Sequence, residues 1–112
     1  MTDDVSLPTA LWLTAELRRL QNNGDAIYIV RKGDMERGQV LVRLNLMGTD
    51  KALIQTVGRD GSGQKIWLKT HHEATINAEM AEQSVRKAIA ADPDLWVIEI
   101  DVKTGHNPIT LI

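Results

Sequence analysis

Residues 39–46 read Gln39-Val40-Leu41-Val42-Arg43-Leu44-Asn45-Leu46. Val40, Val42, Leu44 and Leu46 recur at every second position and share one face, while Gln39, Arg43 and Asn45 share the other with Leu41. This period belongs to a β-strand, whose successive side chains point to opposite sides. Leu41 makes the second face mixed. Upstream, Ala26 to Arg31 is apolar and β-branched, and reads as a strand covered on both faces. Lys32 to Gly38 reads as the turn between the two. Downstream, Ala52 to Val57 is a third strand, Gly58 to Gly63 a Gly-rich hairpin loop and Gln64 to Thr70 a fourth strand.

Helical periodicity flanks this meander. Over residues 8–22, Ala10, Leu13, Leu17 and Leu20 recur at three-and-four spacing. Pro8 suits the first turn, and Gly24 suits the stop, where the left-handed conformation is easy only for glycine. Residues 75–91 form a second helix, with Thr75 as its cap and Ala78, Ala81, Val85, Ala88 and Ile89 facing inward. Asp92-Pro93-Asp94 ends it, because the residue before proline is pushed out of the helical region. Leu95 to Val102 is a fifth strand, with Trp96, Ile98, Ile100 and Val102 on one face and Leu95, Val97, Glu99 and Asp101 on the other. Pro108 to Ile112 is a further short edge strand. The order α-β-β-β-β-α-β defines an α+β fold: a mostly antiparallel five-stranded sheet with two helices packed on one of its faces.

All 112 residues fit one domain, 1–112. Hydrophobic residues make up 43% and charged residues 25%, which suits a globular chain and excludes disorder. A net charge of −2 excludes a broadly basic nucleic-acid binder, though not a local basic patch. With no cysteine, disulfides, thiol catalysis and Cys-ligated zinc are excluded. No apolar run approaches the roughly 20 residues of a membrane helix, and the acidic start lacks a signal peptide's basic and apolar regions. The expectation is a cytoplasmic protein that does not engage a membrane.

Two segments carry a resemblance. Trp12, Arg18-Arg19, Gly24, Ile27-Tyr28-Ile29-Val30-Arg31-Lys32-Gly33-Asp34 and Gly38-Gln39-Val40-Leu41-Val42 form the first; Asp92-Pro93-Asp94-Leu95-Trp96-Val97-Ile98-Glu99-Ile100 forms the second. Together they resemble the DUF1491 family of small proteins, chiefly from alphaproteobacteria. The resemblance implies a bacterial cytoplasmic protein and transfers no catalytic residue.

The candidate chemistry is sparse. His71 and His72 are adjacent, so on a strand they point apart and cannot share a metal; no metal site and no cofactor fingerprint is read. Gly58-Arg59-Asp60-Gly61-Ser62-Gly63-Gln64-Lys65 fails the phosphate-loop pattern and leads into a strand, so it reads as a hairpin turn. Arg18, Arg31, Asp34 and Glu36 are candidate ligand-binding residues: arginines for an anion, carboxylates for acid–base work. On the fourth strand Lys65, Trp67 and Lys69 share a face, where a tryptophan between lysines can stack a base or meet a partner. Trp12 and Leu11 lie off the main stripe of the first helix. Trp12, Lys65, Trp67 and Lys69 are therefore candidate partner-surface residues, and the apolar end Ile109, Leu111 and Ile112 adds a free edge.

These features support three readings. The first is a small non-catalytic binding or adaptor domain that forms a homodimer or takes an unknown protein partner. The second is a small-molecule ligand-binding protein or enzyme built on Arg18, Arg31, Asp34 and Glu36. The third is single-stranded nucleic-acid binding through Trp67, which the overall charge disfavours.

Overall fold

The structure, a computed structural model, describes residues 7–112. Its elements in order are α1 (Thr9–Asn22), β1 (Ala26–Arg31), β2 (Val40–Leu46), β3 (Lys51–Arg59), β4 (Lys65–Lys69), β5 (Ile76–Asn77), α2 (Ala78–Ala91) and β6 (Trp96–Val102). The strands form one six-stranded sheet in the order β1-β6-β2-β3-β4, with β5 paired to β3. The α+β class stands, and most pairings are antiparallel. The exception lies at the centre. β2 and β6 run parallel, with Leu41 opposite Val97, Arg43 opposite Glu99 and Asn45 opposite Asp101. A parallel pair needs a crossover, and here β3, β4, β5 and α2 all lie between the two strands in the chain.

The two helices cover opposite faces, not one shared face. α1 packs Leu13, Leu17 and Leu20 onto Val40, Val42, Leu44, Trp96, Ile98 and Ile100. α2 packs Ala81 and Val85 onto Leu41, Ala52, Ile54, Leu95 and Val97. Leu41 and Val97 break the alternation on their strands because they floor this second core. The small side chains of α2 match its limited apolar footprint. Beyond Leu41 and Val97 the same sheet face turns polar, at Arg43, Asn45, Glu99 and Asp101, beside the start of α2.

Four local expectations change. α2 begins at Ala78, not Thr75: Asn77 is the cap, its Oδ1 accepting from Met80 N–H at 2.8 Å, while Ile76 pairs with β3. Pro8 is itself the N-terminal cap residue of α1 rather than its first turn. β1 is an edge strand covered on neither side beyond Ile27, with Tyr28, Ile29 and Val30 exposed. Its apolar composition looked like burial because composition does not say which strand lies at the edge.

Residues 108–112 form no strand. They run across α1 and β4 and are pinned by side chains. Trp12 Nε1–H donates to Thr110 O at 2.9 Å and Trp67 Nε1–H to Ile109 O at 3.0 Å. Thr110 N–H donates to Glu16 Oε1 at 2.6 Å, and the buried Asn107 donates to Gln55 Oε1 at 3.0 Å. Ile109 then enters the α1-side core. At the other end of the meander, Gly24 takes a positive φ of 89° and closes α1, where Asp25 N–H bonds to Leu20 O at 3.0 Å.

Candidate functional site

The turn 32–38 is built by one aspartate. Asp34 Oδ2 accepts from Arg37 N–H at 2.8 Å and Glu36 N–H at 3.2 Å. Its backbone N–H donates to Asp94 O at 2.9 Å, and its carbonyl accepts from Trp96 Nε1–H at 2.7 Å. The turn's carbonyls then receive the start of α1: Thr9 N–H donates to Glu36 O at 3.1 Å and Ala10 N–H to Met35 O at 2.9 Å. These amides would otherwise be orphaned at a helix start that has no side-chain cap. Gly38 permits the close approach. A β-carbon there would sit 2.6 Å from Asp34 O and 2.7 Å from Asp94 O.

The second wall is the β3–β4 hairpin. Asp60 Oδ1 accepts from Ser62 Oγ–H at 2.7 Å, Ser62 N–H at 2.9 Å and Gln64 N–H at 3.0 Å. The Ser62 hydroxyl, then the backbone amides, hold the Asp60 carboxyl below the usual carboxylate range. Arg59 donates to Gly63 O at 2.7 Å. The Gly-rich segment is a hairpin turn, as its sequence indicated.

Between these walls, the start of α1 and the chain end lies a cleft of about 1320 Å³. Trp12 and Val57 give it apolar surface, and among the described residues Arg37, Arg59 and Lys65 line it as cations and Glu36 as an acid. The volume exceeds the ~300–1,000 Å³ of a closed small-molecule pocket.

The sequence-derived residues divide across the fold. Trp12, Lys65 and Glu36 meet in the cleft. Trp67 lies against the α1-side core beneath the tail, not on an open platform, and Lys69 reaches His72 O at 3.4 Å. Arg31 is spent on backbone, donating to Pro93 O at 3.0 Å. The Asp34 carboxylate is occupied by its own turn. Arg18 lies nine residues along α1 from Thr9, about 13 Å at 1.5 Å per residue, so it does not join Arg31, Asp34 and Glu36 at the turn. Leu11 is exposed.

His71 is structural: its Nε2 accepts from Ile54 N–H at 3.1 Å, which places the proton on Nδ1, 2.9 Å from Glu73 O. Among the described residues no group of three or more His, Asp or Glu side chains converges as a metal site, and no helix is long and apolar enough to cross a membrane.

A second, smaller recess of about 270 Å³ includes Arg43, Asn45, Glu99 and Asp101 on the open half of the α2 face. Asn45 Nδ2 donates to Glu99 at 2.8 Å and to Asp101 at 3.3 Å, while Arg43 Nε donates to Asn45 Oδ1 at 2.8 Å. This network was invisible in the sequence. Asn45 stands 54 residues from Glu99 and 56 from Asp101, and they meet only through the parallel β2–β6 register. Arg43 also reaches Glu82 of α2 at 3.4 Å, so the patch largely satisfies itself.

Fold and cleft together define a small α+β protein with a mixed sheet between two helices and one broad cationic groove. Residues 7–110 match the family model described as a protein of unknown function (DUF1491), and the chain belongs to that family. The crystal structure of a DUF1491 family protein from Caulobacter crescentus CB15 is similar, with 28% identity and a TM-score of 0.81 over 94% of this chain and 96% of that one. The NMR structure of a DUF1491 family protein from the same organism is similar at 29% identity and a TM-score of 0.76, covering 93% of each chain. The solution structure of protein Atu0922 from A. tumefaciens shares the fold at 18% identity and a TM-score of 0.72, covering 95% of this chain and 94% of that one. No curated protein matches the chain.

Proposed function

We propose that this chain is a small cytoplasmic binding module, without catalysis of its own, whose cleft receives an acidic, partly apolar segment of a protein partner. One observation carries the reading: among the described residues, Arg37, Arg59 and Lys65 stand with one acidic side chain, Glu36, around apolar surface from Trp12 and Val57, on a chain that is net negative overall. A local excess of positive charge on an acidic protein attracts anions at close range and leaves distant surfaces repulsive to them. The apolar floor adds affinity that a bare phosphate would not exploit.

The test is a ¹H–¹⁵N titration with an N-acetylated pentapeptide of alternating glutamate and leucine. The expected shifts fall on the Trp12 indole and on Arg37, Arg59 and Lys65, weaken with salt, and vanish in the double substitution Arg59→Glu, Lys65→Glu. Shifts confined to other faces, or none at millimolar peptide, would refute the proposal. Single-stranded oligothymidylate in the same titration tests the nucleic-acid reading. Because Trp67 is covered by the tail, its indole resonance should stay in place.

A further inference from the structure

We propose that β1 is a self-pairing edge, through which two copies of this chain join antiparallel across a two-fold axis centred on Tyr28. The inference is independent of the cleft, which lies on other elements.

The backbone sets the register. Trp96 N–H donates to Gln39 O at 2.8 Å, and Met47 N–H to Val102 O at 2.8 Å, so the even-numbered residues of β6 bond toward β2. Alternation along a strand then turns Val97, Glu99 and Asp101 toward β1, where they face Arg31, Tyr28 and Ala26. Ile27 and Ile29 are left with their N–H and C=O groups aimed out of the sheet. The side-chain amide of Gln21 reaches Ile27 O at a long 3.4 Å and covers little of this edge.

The side chains point the same way. Tyr28, Ile29 and Val30 are 54%, 38% and 52% exposed, and no charge interrupts Ala26 to Val30. Protected edges usually carry lysine, proline or another inward charge. The opposite edge strand, β4, does so: it begins with Lys65 and ends with Lys69, and two copies of it would repel.

The occupant follows from the ends of β1. Asp25 precedes the strand; Arg31 and Lys32 close it. A parallel copy would set like charges together, while an antiparallel copy sets opposite charges together at both ends. Centring on Tyr28 places Ile27 opposite the partner's Ile29 and brings Asp25 to the end of the seam where the partner's Arg31 and the partner's Lys32 lie. In that register the outward groups of Ile27 and Ile29 become the hydrogen-bonded pairs, and Tyr28 meets its own copy at the non-hydrogen-bonded position. The bulge between Ile29 and Arg31 ends the ladder there, so the seam is short and the dimer is weak and concentration-dependent.

The chain contains no cysteine, so one introduced thiol reports one position. Non-hydrogen-bonded antiparallel pairs hold their Cα atoms at about 4.5 Å, within disulfide reach. Under mild oxidation the Tyr28→Cys chain should convert to a disulfide-linked dimer at least tenfold faster than Thr14→Cys, whose thiol would be exposed on α1. Sedimentation equilibrium of the unmodified chain should show the mass rising from 12.5 kDa toward twice that value with concentration, and Ile29→Lys should remove the rise. Equal cross-linking in the two cysteine variants overturns the proposal. So does a mass fixed at 12.5 kDa up to millimolar chain, which would leave the edge to an extended segment of another protein.

Discussion

Replacing Ile109 with alanine separates a chain end that belongs to the core from one that only rests on it. Ile109 is 3% exposed and packs in the cluster containing Leu13, Val42 and Ile98. The substitution removes three carbons; at ~0.8 kcal/mol each, the lost burial is about 2.5 kcal/mol before any cavity term. A tail can escape part of that cost by detaching locally, so the loss is capped by whatever else holds it. Here that hold is substantial: the bonds from Trp12, Trp67 and Asn107, the amide of Thr110 on Glu16, and Arg19 on Pro108 O at 3.0 Å. At ~1 kcal/mol net per bond they outweigh the lost burial, so the tail stays docked and the cost is felt globally. Urea unfolding followed by far-UV circular dichroism and tryptophan emission should show a loss of about 2.5 kcal/mol, a Tm lower by roughly 10 °C for a domain of this size. Native emission should be nearly unchanged, because Trp12 and Trp67 remain covered. A loss below ~0.5 kcal/mol, typical of a surface position, would refute the core assignment. A red-shifted native spectrum with little global loss would refute the claim that the polar bonds hold the tail in place.

Three further outcomes follow from single contacts. Gly38→Ala should cost about 3 kcal/mol by urea denaturation, because the new methyl meets the Asp34 and Asp94 carbonyl oxygens, which are backbone and cannot swing away. Arg19, by donating to Glu16, holds that carboxyl below its ordinary 4.5, with Thr110 N–H adding to the effect. A depressed folded-state pKa stabilises above the unfolded value and is lost as pH falls through the folded one. The urea midpoints of wild type and Glu16→Gln should therefore differ at pH 7, begin to approach each other near pH 4.5 and meet only below the depressed folded-state value. His71→Ala leaves Ile54 N–H without its acceptor and should cost about 1–2 kcal/mol, with faster hydrogen exchange at the Ile54 amide.

Much of the fold was legible in local pattern. The period of residues 39–46, the three-and-four spacing of Leu13, Leu17 and Leu20, and the Asp92-Pro93 stop each act within one element. Those elements therefore formed close to where their residues indicated, α1 at Thr9–Asn22 and β6 at Trp96–Val102. Even the face assignment of Trp96, Ile98 and Ile100 was readable, because period two is a property of the strand alone. The cleft was only partly legible: Trp12 and Lys65 stood out, while Arg37 and Arg59 looked like ordinary turn charges.

What tertiary structure alone decided was adjacency. Nothing in β2 or β6 announces that they pair in parallel, yet that pairing gathers Arg43, Asn45, Glu99 and Asp101 and puts β1 at the edge. Nothing in Trp67 announces that it sits beneath residues about forty positions later rather than in solvent. Periodicity records which way a side chain points from its own backbone. Which element waits there depends on long-range packing that minimises exposed apolar area over the whole chain, and that sum cannot be read in any one window.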